Sequence, residues 1–251
     1  MLLAKLDGKP EIFYSIQGEG VSIGRPAIFI RLAGCDLQCQ WCDTPYTWRF
    51  DKAMPHQKSV VYKPSDFTIN LTVDQVVEEI KKFAPKMENL ETPRVIITGG
   101  EPLLQKKELE ILLKKLAVET GIDSFEIETN GTMEPLKAQP EVYIQYNISP
   151  KLSGSGNPKC KRERPEILEK FEHKNAFYKF VVSTESDRRE VRAFVKRYDI
   201  EPWQVYIMPE GITVKEIQRN AKELVDFCKK YGFSFTTRLH ILIYGGAKRG
   251  V

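Results

Sequence analysis

The fold class of this chain is decided by residues 95–116, which read VIITGGEPLLQKKELEILLKKL. The first four residues form a short, β-branched apolar run with the length of a buried strand. Apolar side chains then recur at positions 109, 112, 113 and 116, which is the spacing of one face of an α-helix. A strand followed directly by an amphipathic helix predicts a sheet whose strands are covered by their own helices.

The same alternation continues on both sides of this unit. The predicted strands are Ala27–Leu32, Val95–Thr98, Phe125–Thr129, Val142–Ile148, Phe177–Val182, Val205–Met208 and Phe233–Leu239. Helical spacing of apolar residues recurs within Val73–Ile80, Leu109–Leu116, Val191–Tyr198 and Ile217–Cys228. Such alternation predicts right-handed crossovers and a parallel sheet, with too few units for a complete eightfold barrel. We therefore predict an α/β fold of the partial (β/α)6-type TIM barrel.

Length and composition exclude several classes of protein. The 251 residues are enough for one large domain, which we expect to span residues 1–251 with a long insertion at about 45–72. No apolar run is long enough to cross a bilayer and no signal peptide is recognisable, so we expect a cytoplasmic protein without membrane contact. The net charge of +4 comes from 38 basic and 34 acidic residues scattered along the chain, and it does not indicate a nucleic-acid partner.

Two stretches interrupt the alternation. Residues 43–72 contain three prolines and show little periodicity, and loops of this length are commonly functional. Residues 153–164 read SGSGNPKCKRER and are polar and basic, which is typical of a solvated, mobile loop. The glycines at 154 and 156 do not complete a G-x-G-x-x-G pattern, so a dinucleotide-binding Rossmann fold has no support.

Three of the five cysteines lie in one short segment after the first core strand. Cys35, Cys39 and Cys42 have the spacing C-x3-C-x2-C, whereas Cys160 and Cys228 are isolated. Three adjacent thiols in a reducing compartment favour a metal or redox site over a disulfide framework. A [4Fe–4S] cluster on three cysteines would leave one iron open, while zinc would need a fourth ligand such as His56. Cys228 has the helical position of a core residue, and no partner for Cys160 is evident.

The cysteine loop resembles that of the radical S-adenosylmethionine (SAM) superfamily, which also places an aromatic residue, here Trp41, before the last cysteine. The sequence Gly99-Gly100-Glu101-Pro102 after the second core strand resembles the superfamily's GGEP motif, which contacts the amino group of SAM. This resemblance implies a radical SAM barrel whose cluster binds SAM at its open iron. It also implies that Trp41, Cys42, Asp43, Gly100 and Glu101 contact SAM.

Further segments resemble the 7-carboxy-7-deazaguanine synthase family. Residues 13–20 read FYSIQGEG, like the family segment that holds a pterin substrate, which implies substrate contacts for Ile16, Gln17, Gly18 and Glu19. Arg31 matches an arginine that faces the substrate carboxylate; within a strand that is apolar on both faces it also requires an anionic partner. Thr44, directly after Cys42-Asp43, matches a Mg²⁺ ligand, and Thr98 matches a substrate contact.

The rest of the resemblance lies in the second half of the chain. Ser149-Pro150-Lys151 resembles a family SAM contact, and Met208-Pro209 occupies the place of another, where some members have Gln-Pro. The end of the chain, residues 239–251, reads LHILIYGGAKRGV and implies that His240 and a terminal carboxylate on Val251 contact the substrate. Taken alone, Lys248-Arg249 is typical of a solvated tail and His240 of a core histidine.

The resemblance implies the contraction of 6-carboxy-5,6,7,8-tetrahydropterin to 7-carboxy-7-deazaguanine with loss of ammonia, a step of queuosine biosynthesis. The implied cofactors are a [4Fe–4S] cluster, SAM and Mg²⁺, with Cys35, Cys39, Cys42 and Thr44 as the catalytic set. The implied partners are a flavodoxin or ferredoxin-type reductant and a second copy of the chain in a homodimer. A low cluster potential leads us to expect few polar hydrogens near the sulfurs. The alternatives are a glycyl-radical activase acting on a protein, and a zinc-binding module.

Overall fold

The computed structural model describes residues 1–50, 60–83, 94–172, 174–246 and 248–251. The strands of these residues are β1 (Leu2–Leu6), β2 (Lys9–Pro10), β3 (Ile12–Ile16), β4 (Pro26–Leu32), β5 (Thr68–Asn70), β6 (Arg94–Gly99), β7 (Ser124–Thr129), β8 (Tyr143–Ile148), β9 (Ala176–Val182), β10 (Val205–Pro209) and β11 (Ser234–Phe235). The helices are α1 (Pro64–Phe67), α2 (Val73–Lys81), α3 (Lys106–Thr120), α4 (Lys159–Arg162), α5 (Pro165–Leu168), α6 (Glu185–Arg197), α7 (Val214–Tyr231) and α8 (Leu239–Tyr244). Short 3₁₀ helices include Pro45–Thr47 and Ser153–Ser155.

The core of the sheet is a run of parallel strands in the order β4-β6-β7-β8-β9-β10, extended by the short β11. Successive strands are neighbours in this run, which is the arrangement of an open (β/α)6 barrel. The predicted α/β class and partial barrel are confirmed. The four predicted helices correspond to α2, α3, α6 and α7.

Local sequence explains where the long helices begin and end. Thr72, Thr184 and Thr213 each accept a hydrogen bond from the backbone at the third helical residue, and a capping box completes each start. Gly121 and Gly232 end α3 and α7 in the left-handed conformation that glycine adopts without strain. The apolar faces between these ends pack on the sheet; on α3 they are Leu109, Leu112, Leu113 and Leu116.

The N-terminal segment adds antiparallel strands that periodicity did not predict. β3 pairs with β4 from Ile12↔Ile30 to Ile16↔Pro26, while β1 pairs with the end of β4 and with β5. β5 and α1 lie within the predicted insertion, and Tyr46 and Thr47 near its start are buried. Strands of two to five residues are too short for periodicity to distinguish from loops. That residues 45–72 form an insertion in a single domain remains a prediction.

Two predicted segments were wrong in detail. Phe233–Leu239 is a strand only at Ser234–Phe235, because Leu239 begins α8 and its backbone N–H donates to the Gly18 carbonyl at 2.8 Å. Residues 153–164 are not a solvated loop throughout, since Ser155, Asn157 and Arg162 are buried. Arg162 pairs with Glu190 at 2.7 Å, which ties the segment to α6. In the described residues, no helix has the length and apolar character required to cross a membrane.

Candidate active site

A cavity of about 860 Å³ opens at the carboxyl ends of the parallel strands, where barrel folds place their active sites. Each core strand contributes to its wall through the residues at or just beyond its end. These include Arg31, Thr98, Gly99, Gly100, Glu128, Thr129, Asn130, Ser149, Val181, Ser183, Met208, Pro209 and Glu210. The cavity therefore results from the common direction of the strands.

The cavity brings together nearly all of the predicted site residues. Those lining it are Ile16, Gln17, Gly18, Glu19, Arg31, Cys35, Cys39, Trp41, Cys42, Asp43, Thr44, Thr98, Gly100, Ser149, Lys151, Met208, Pro209, His240 and Val251. Pro150 and Glu101 do not line it. The Glu101 carboxylate is fully buried and accepts hydrogen bonds from the backbone N–H groups of Leu103 and Asn130 and from the Thr129 hydroxyl. Burial raises the pKa of Glu101 to about 7 despite these bonds.

The cysteine loop is held by side chains from distant parts of the chain. Asn130 donates to the Asp36 carboxylate at 2.9 Å, and Thr132 also donates to it, which anchors the loop between Cys35 and Cys39. On the other side, the Gln40 backbone N–H donates to the Ser155 carbonyl at 3.0 Å. The loop is thus fixed to the segments that follow β7 and β8.

Two cysteine sulfurs accept hydrogen bonds, contrary to the expectation of few polar hydrogens beside them. The Asn157 amide donates to Cys39 Sγ and the Trp48 indole N–H donates to Cys42 Sγ, each at 3.3 Å. The Asn157 carbonyl oxygen also accepts from the backbone N–H of Gln38 at 2.9 Å. Trp48 lies in the predicted insertion and Asn157 in residues 153–164. The sequence around each of them has no pattern that predicts a hydrogen bond to a cysteine sulfur.

Cys35, Cys39 and Cys42 all line the cavity, and cysteine thiolates are the ligands that iron–sulfur clusters take. Burial raises the pKa of the Cys35 thiol to about 12, and a bound metal cation would favour its thiolate form. Across the described residues, no three His, Cys, Asp or Glu side chains meet closely enough to hold one metal ion. A cluster places each thiolate on a different iron, so its ligands stand further apart. His56, the suggested zinc ligand, lies outside the described residues.

The strand register aligns two of the predicted substrate residues. Arg31 on β4 pairs with Thr98 on β6, so both side chains lie at the same level of the cavity wall. The anionic partner that Arg31 requires is present within the chain, because Arg31 Nε donates to a carboxylate oxygen of Glu11 at 3.0 Å. Glu11 had no signal in the sequence that connected it with this site.

The segment after β3 carries a charged network into the cavity. Glu19 accepts from Lys179 Nζ at 2.7 Å and from Arg238 Nε at 2.9 Å, while Arg238 also pairs with Asp43. Burial opposes the ionisation of Glu19, but the positive charges of Lys179 and Arg238 outweigh it and lower the Glu19 pKa. Burial likewise opposes ionisation of Asp43, and Arg238 overcomes it to lower the Asp43 pKa. The network therefore keeps two carboxylates ionised at the cavity wall.

The barrel interior below this network is polar. Gln17 donates to Glu128 at 3.2 Å, and Asn147 donates to both Glu126 and Glu128, at 3.0 and 2.8 Å. Lys179 bridges Glu128 to Glu19. Sequence reasoning missed Glu126, Glu128, Asn147, Lys179 and Arg238. All of these except Arg238 lie within strands, where a polar residue among apolar ones could have indicated a buried polar site.

Side chains near the proposed SAM contacts are ordered by one another. Lys151 Nζ donates to Ser149 Oγ at 2.8 Å and lies over the Trp41 ring, 5.7 Å from its centroid. Thr44 Oγ1 lies 3.8 Å from Cys42 Sγ. These contacts bring the residues that follow β8 against the end of the cysteine loop.

The C-terminal segment closes one side of the cavity. A side chain at Gly18 would overlap the His240 imidazole, so the FYSIQGEG segment and α8 are in direct contact. Burial lowers the pKa of His240 although Glu19 acts in the opposite direction, which favours the neutral imidazole. Arg249 lies over the Tyr46 ring at 3.7 Å and pairs with Glu11, so it is not part of a solvated tail.

Comparison with known proteins defines the class first. The family model of the radical SAM superfamily matches residues 29–151, from the core strand β4 through the cysteine loop to the end of Ser149-Pro150-Lys151. Radical SAM proteins use SAM together with a [4Fe–4S] cluster. Within this class, relatives that match over nearly the whole chain show that it belongs to the 7-carboxy-7-deazaguanine synthase family.

The similarity extends over nearly the whole chain. The 7-carboxy-7-deazaguanine synthase of Pyrobaculum aerophilum is 36% identical over 95% of both chains. That of Hyperthermus butylicus is 32% identical over 93% of this chain and 91% of its own. The crystal structure of QueE from Escherichia coli matches with a TM-score of 0.63 over 91% of this chain and 92% of that chain, at 24% identity, and shares the fold.

Proposed function

We propose that this protein is a radical SAM lyase that converts 6-carboxy-5,6,7,8-tetrahydropterin to 7-carboxy-7-deazaguanine with loss of ammonia, in queuosine and 7-deazapurine biosynthesis. One observation carries the proposal: a single cavity joins the three-cysteine loop to Gln17, Glu19 and Arg31. Its volume of about 860 Å³ suits a small molecule together with a cofactor. The names of the relatives, which match over more than nine-tenths of the chain, support the same reaction.

The cofactor side of the cavity would hold a cluster on Cys35, Cys39 and Cys42. SAM would contact Trp41, Gly100 and the residues that follow β8 and β10, namely Ser149, Lys151, Met208 and Pro209. When bound, the cluster and SAM supply the one-electron radical chemistry of the superfamily. The chain itself contributes orientation, a fixed electrostatic field and exclusion of water.

The substrate side of the cavity suits a carboxylated pterin. Arg31 would pair with the substrate carboxylate, with Thr98 beside it on the neighbouring strand. Glu19 stays ionised, and its oxygens suit the N–H groups on the guanidine-like edge of a pterin, with the Gln17 amide nearby. In its neutral form, His240 can donate or accept one hydrogen bond without adding charge.

Magnesium is the third proposed cofactor. Thr44 lines the cavity directly after the cysteine loop, and its hydroxyl would be the protein ligand of a Mg²⁺ ion bound mainly by substrate and water. We further propose a flavodoxin or ferredoxin-type electron donor, a homodimer and a cytoplasmic location. A one-electron donor is required by the chemistry of the superfamily.

The proposed function is tested by anaerobic reconstitution of the protein with iron and sulfide. The reconstituted protein is incubated with SAM, a reductant, Mg²⁺ and 6-carboxy-5,6,7,8-tetrahydropterin, and mass spectrometry follows 7-carboxy-7-deazaguanine and ammonia. We expect product from the parent protein and none from Cys39→Ala, which should also fail to assemble the cluster. Wild-type turnover by Cys39→Ala would contradict the proposal.

The same experiment distinguishes the two alternatives. A glycyl-radical activase would consume SAM with a polypeptide substrate and would leave the pterin unchanged. A zinc module would be colourless after anaerobic isolation, whereas an iron–sulfur protein is brown. The relatives that match over most of the chain are named as synthases, which does not favour the activase.

A further inference from the structure

Glu11, between β2 and β3, is a buried carboxylate that the proposed reaction does not yet use. Its side chain is 0% exposed and is not part of the cavity wall. One oxygen accepts from Arg31 Nε at 3.0 Å and from the Tyr46 hydroxyl at 3.3 Å. The other oxygen pairs with the terminal nitrogen of Arg249. One carboxylate thus joins two arginines that come from β4 and from the C-terminal segment.

The contact with Glu11 leaves one edge of Arg31 available. Glu11 occupies the Nε position of the guanidinium, and within the described part of the chain the two terminal nitrogens of Arg31 form no hydrogen bond. Arg31 lines the cavity, whereas Glu11 lies behind it. Two parallel N–H groups on that free edge match the geometry of a carboxylate.

Arg249 connects the same carboxylate to the C-terminal segment. It donates to the Lys5 carbonyl at 3.0 Å and lies over the Tyr46 ring, 3.7 Å from the centroid. Residues 248–251 next to it line the cavity. Glu11 balances only one of the two guanidinium charges at this end of the cavity, where Asp43 also acts on Arg31.

We propose that Glu11 is a positioning residue for recognition of the substrate carboxylate. It fixes the Nε edge of Arg31, so that the terminal nitrogens point to the ligand, and it holds Arg249 and the adjoining C-terminal segment against the same wall. This role rests on the proposed function, because that function supplies the carboxylated substrate. It predicts that Glu11 affects binding of the carboxylate group and leaves the other contacts of the ligand unchanged.

The test compares Glu11→Gln with Glu163→Gln. Glu163 is also buried and also pairs with an arginine, Arg197, and a tyrosine hydroxyl, but it lies outside the cavity wall. Steady-state assays give KM and kcat for 6-carboxy-5,6,7,8-tetrahydropterin. Equilibrium binding is measured for this compound and for a tetrahydropterin with a neutral hydroxymethyl group at C6.

For Glu11→Gln we expect KM for the carboxylated pterin to rise roughly tenfold, with kcat changed by less than about twofold. Binding of the neutral pterin and the cluster content should equal those of the parent, and Glu163→Gln should match the parent in all assays. An unchanged KM, or an equal loss of affinity for both pterins, would overturn the proposal. The second result would reveal a purely structural role.

A second variant keeps the test decisive if Glu11→Gln does not fold. Glu11→Asp retains the charge but is one methylene shorter, so it cannot reach both arginines at the present distances. We expect it to weaken binding of the carboxylated pterin more than that of the neutral one; equal affinities to the parent would count against the proposal. If the parent protein makes no product, the proposed function fails. Equilibrium binding still tests the role of Glu11 in that case, because the parent should prefer the carboxylated pterin over the neutral one and the Glu11 variants should lose this preference.

Discussion

Cys39 and Cys42, two of the proposed cluster ligands, each accept one hydrogen bond at sulfur. The donors are Asn157, to Cys39, and Trp48, to Cys42. Hydrogen bonds to cluster ligands stabilise the reduced state, which carries more negative charge, and so raise the reduction potential. The two residues are therefore expected to tune the potential at which the reaction begins.

Trp48→Phe tests this expectation, because it removes the indole N–H and keeps an aromatic ring. A hydrogen bond that is stronger by ~1 kcal/mol in the reduced cluster than in the oxidised one corresponds to ~40 mV for one electron, so its loss should lower the potential by up to this amount. The measurement is an anaerobic redox titration followed by electron paramagnetic resonance. Trp203→Phe is the matched control, since Trp203 is 61% exposed and packs on Phe177. Equal potentials in both variants would exclude the role of Trp48.

Thr44 gives a second prediction for a single side chain. If its hydroxyl binds Mg²⁺, Thr44→Ala should reduce turnover at least ~10-fold and abolish its dependence on Mg²⁺, while cluster content stays unchanged. Thr44→Ser retains a hydroxyl and should preserve the Mg²⁺ response. Titration of activity with Mg²⁺ makes the comparison. A parent-like response in Thr44→Ala would remove this residue from the metal site.

Among the elements, the end of β6 has the strictest steric requirement. The Gly100 N–H donates to the Leu32 carbonyl at 3.2 Å, and the Glu101 N–H donates to the Gly34 carbonyl at 2.8 Å. A Cβ atom on Gly100 would collide with the Gly34 carbonyl oxygen and approach Cys35 Cβ to 3.1 Å. The glycines therefore let β6 pack directly against the start of the cysteine loop.

Gly100→Ala should consequently lower the free energy of unfolding of the apoprotein by about 1–3 kcal/mol, since the clash involves backbone atoms. It should also reduce cluster incorporation, because Cys35 would be displaced. Urea denaturation and iron analysis measure the two effects. Gly154→Ala is the control, because the nearest atom to its Cβ is an Asp187 carboxylate oxygen at 3.4 Å. Parent-like stability of Gly100→Ala would contradict the steric argument.

Elements were predictable where sequence periodicity extends over enough residues. The long helices, which begin with capping threonines, and the buried parallel strands correspond to strong local patterns. β1, β2, β3 and β5 were not predicted, because strands of two to five residues are too short for periodicity to distinguish them from loops. The pairing of β1 with β4 and β5 in addition joins segments that are distant in the sequence. The predicted strand Phe233–Leu239 extends too far, because its last residue begins α8, where the Leu239 N–H donates to the Gly18 carbonyl and the Ile241 N–H to the Arg238 carbonyl.

For the molecule as a whole, the barrel interior contains a series of ion pairs in which acidic and basic side chains alternate, whereas most folds bury apolar side chains there. Glu128, Lys179, Glu19, Arg238 and Asp43 come from β7, β9 and three loops. Buried charges of this kind are tolerated only when each has a partner. Their coupling should appear in the dependence of stability on pH.

The free energy of unfolding should fall as the pH decreases below about 4.5. In the unfolded chain Glu19 and Asp43 take up protons near their ordinary pKa values of 4.5 and 3.8, whereas in the folded protein these pKa values are lowered. Because the unfolded state then binds more protons, acid shifts the equilibrium towards it; above this range the contribution is complete. Chemical denaturation of the apoprotein at a series of pH values measures the slope.

Glu19→Gln should flatten that slope, whatever its effect on stability at pH 7. Glu223→Gln serves as the control, because its carboxylate is 71% exposed and should contribute little. The prediction fails if Glu19→Gln retains the slope of the parent between about pH 3 and 6.

The sequence by itself determined the class of fold, the cysteine loop, the glycine-rich end of β6 and the family resemblance. These features are local: they depend on residue spacing along a strand, a helix or one loop. The nineteen predicted site residues that line the cavity were recognised in this way, one motif at a time.

Tertiary structure alone decided which side chains support those motifs. Glu11 reaches Arg31 and Arg249, Asn157 reaches Cys39, and Lys179 and Arg238 keep Glu19 ionised, across separations of up to 238 residues. These partners lie in unrelated parts of the sequence and converge because parallel strands end at one edge of the barrel. A buried charge requires an oppositely charged group close to it in space, and the position of that group along the chain cannot be read from the sequence.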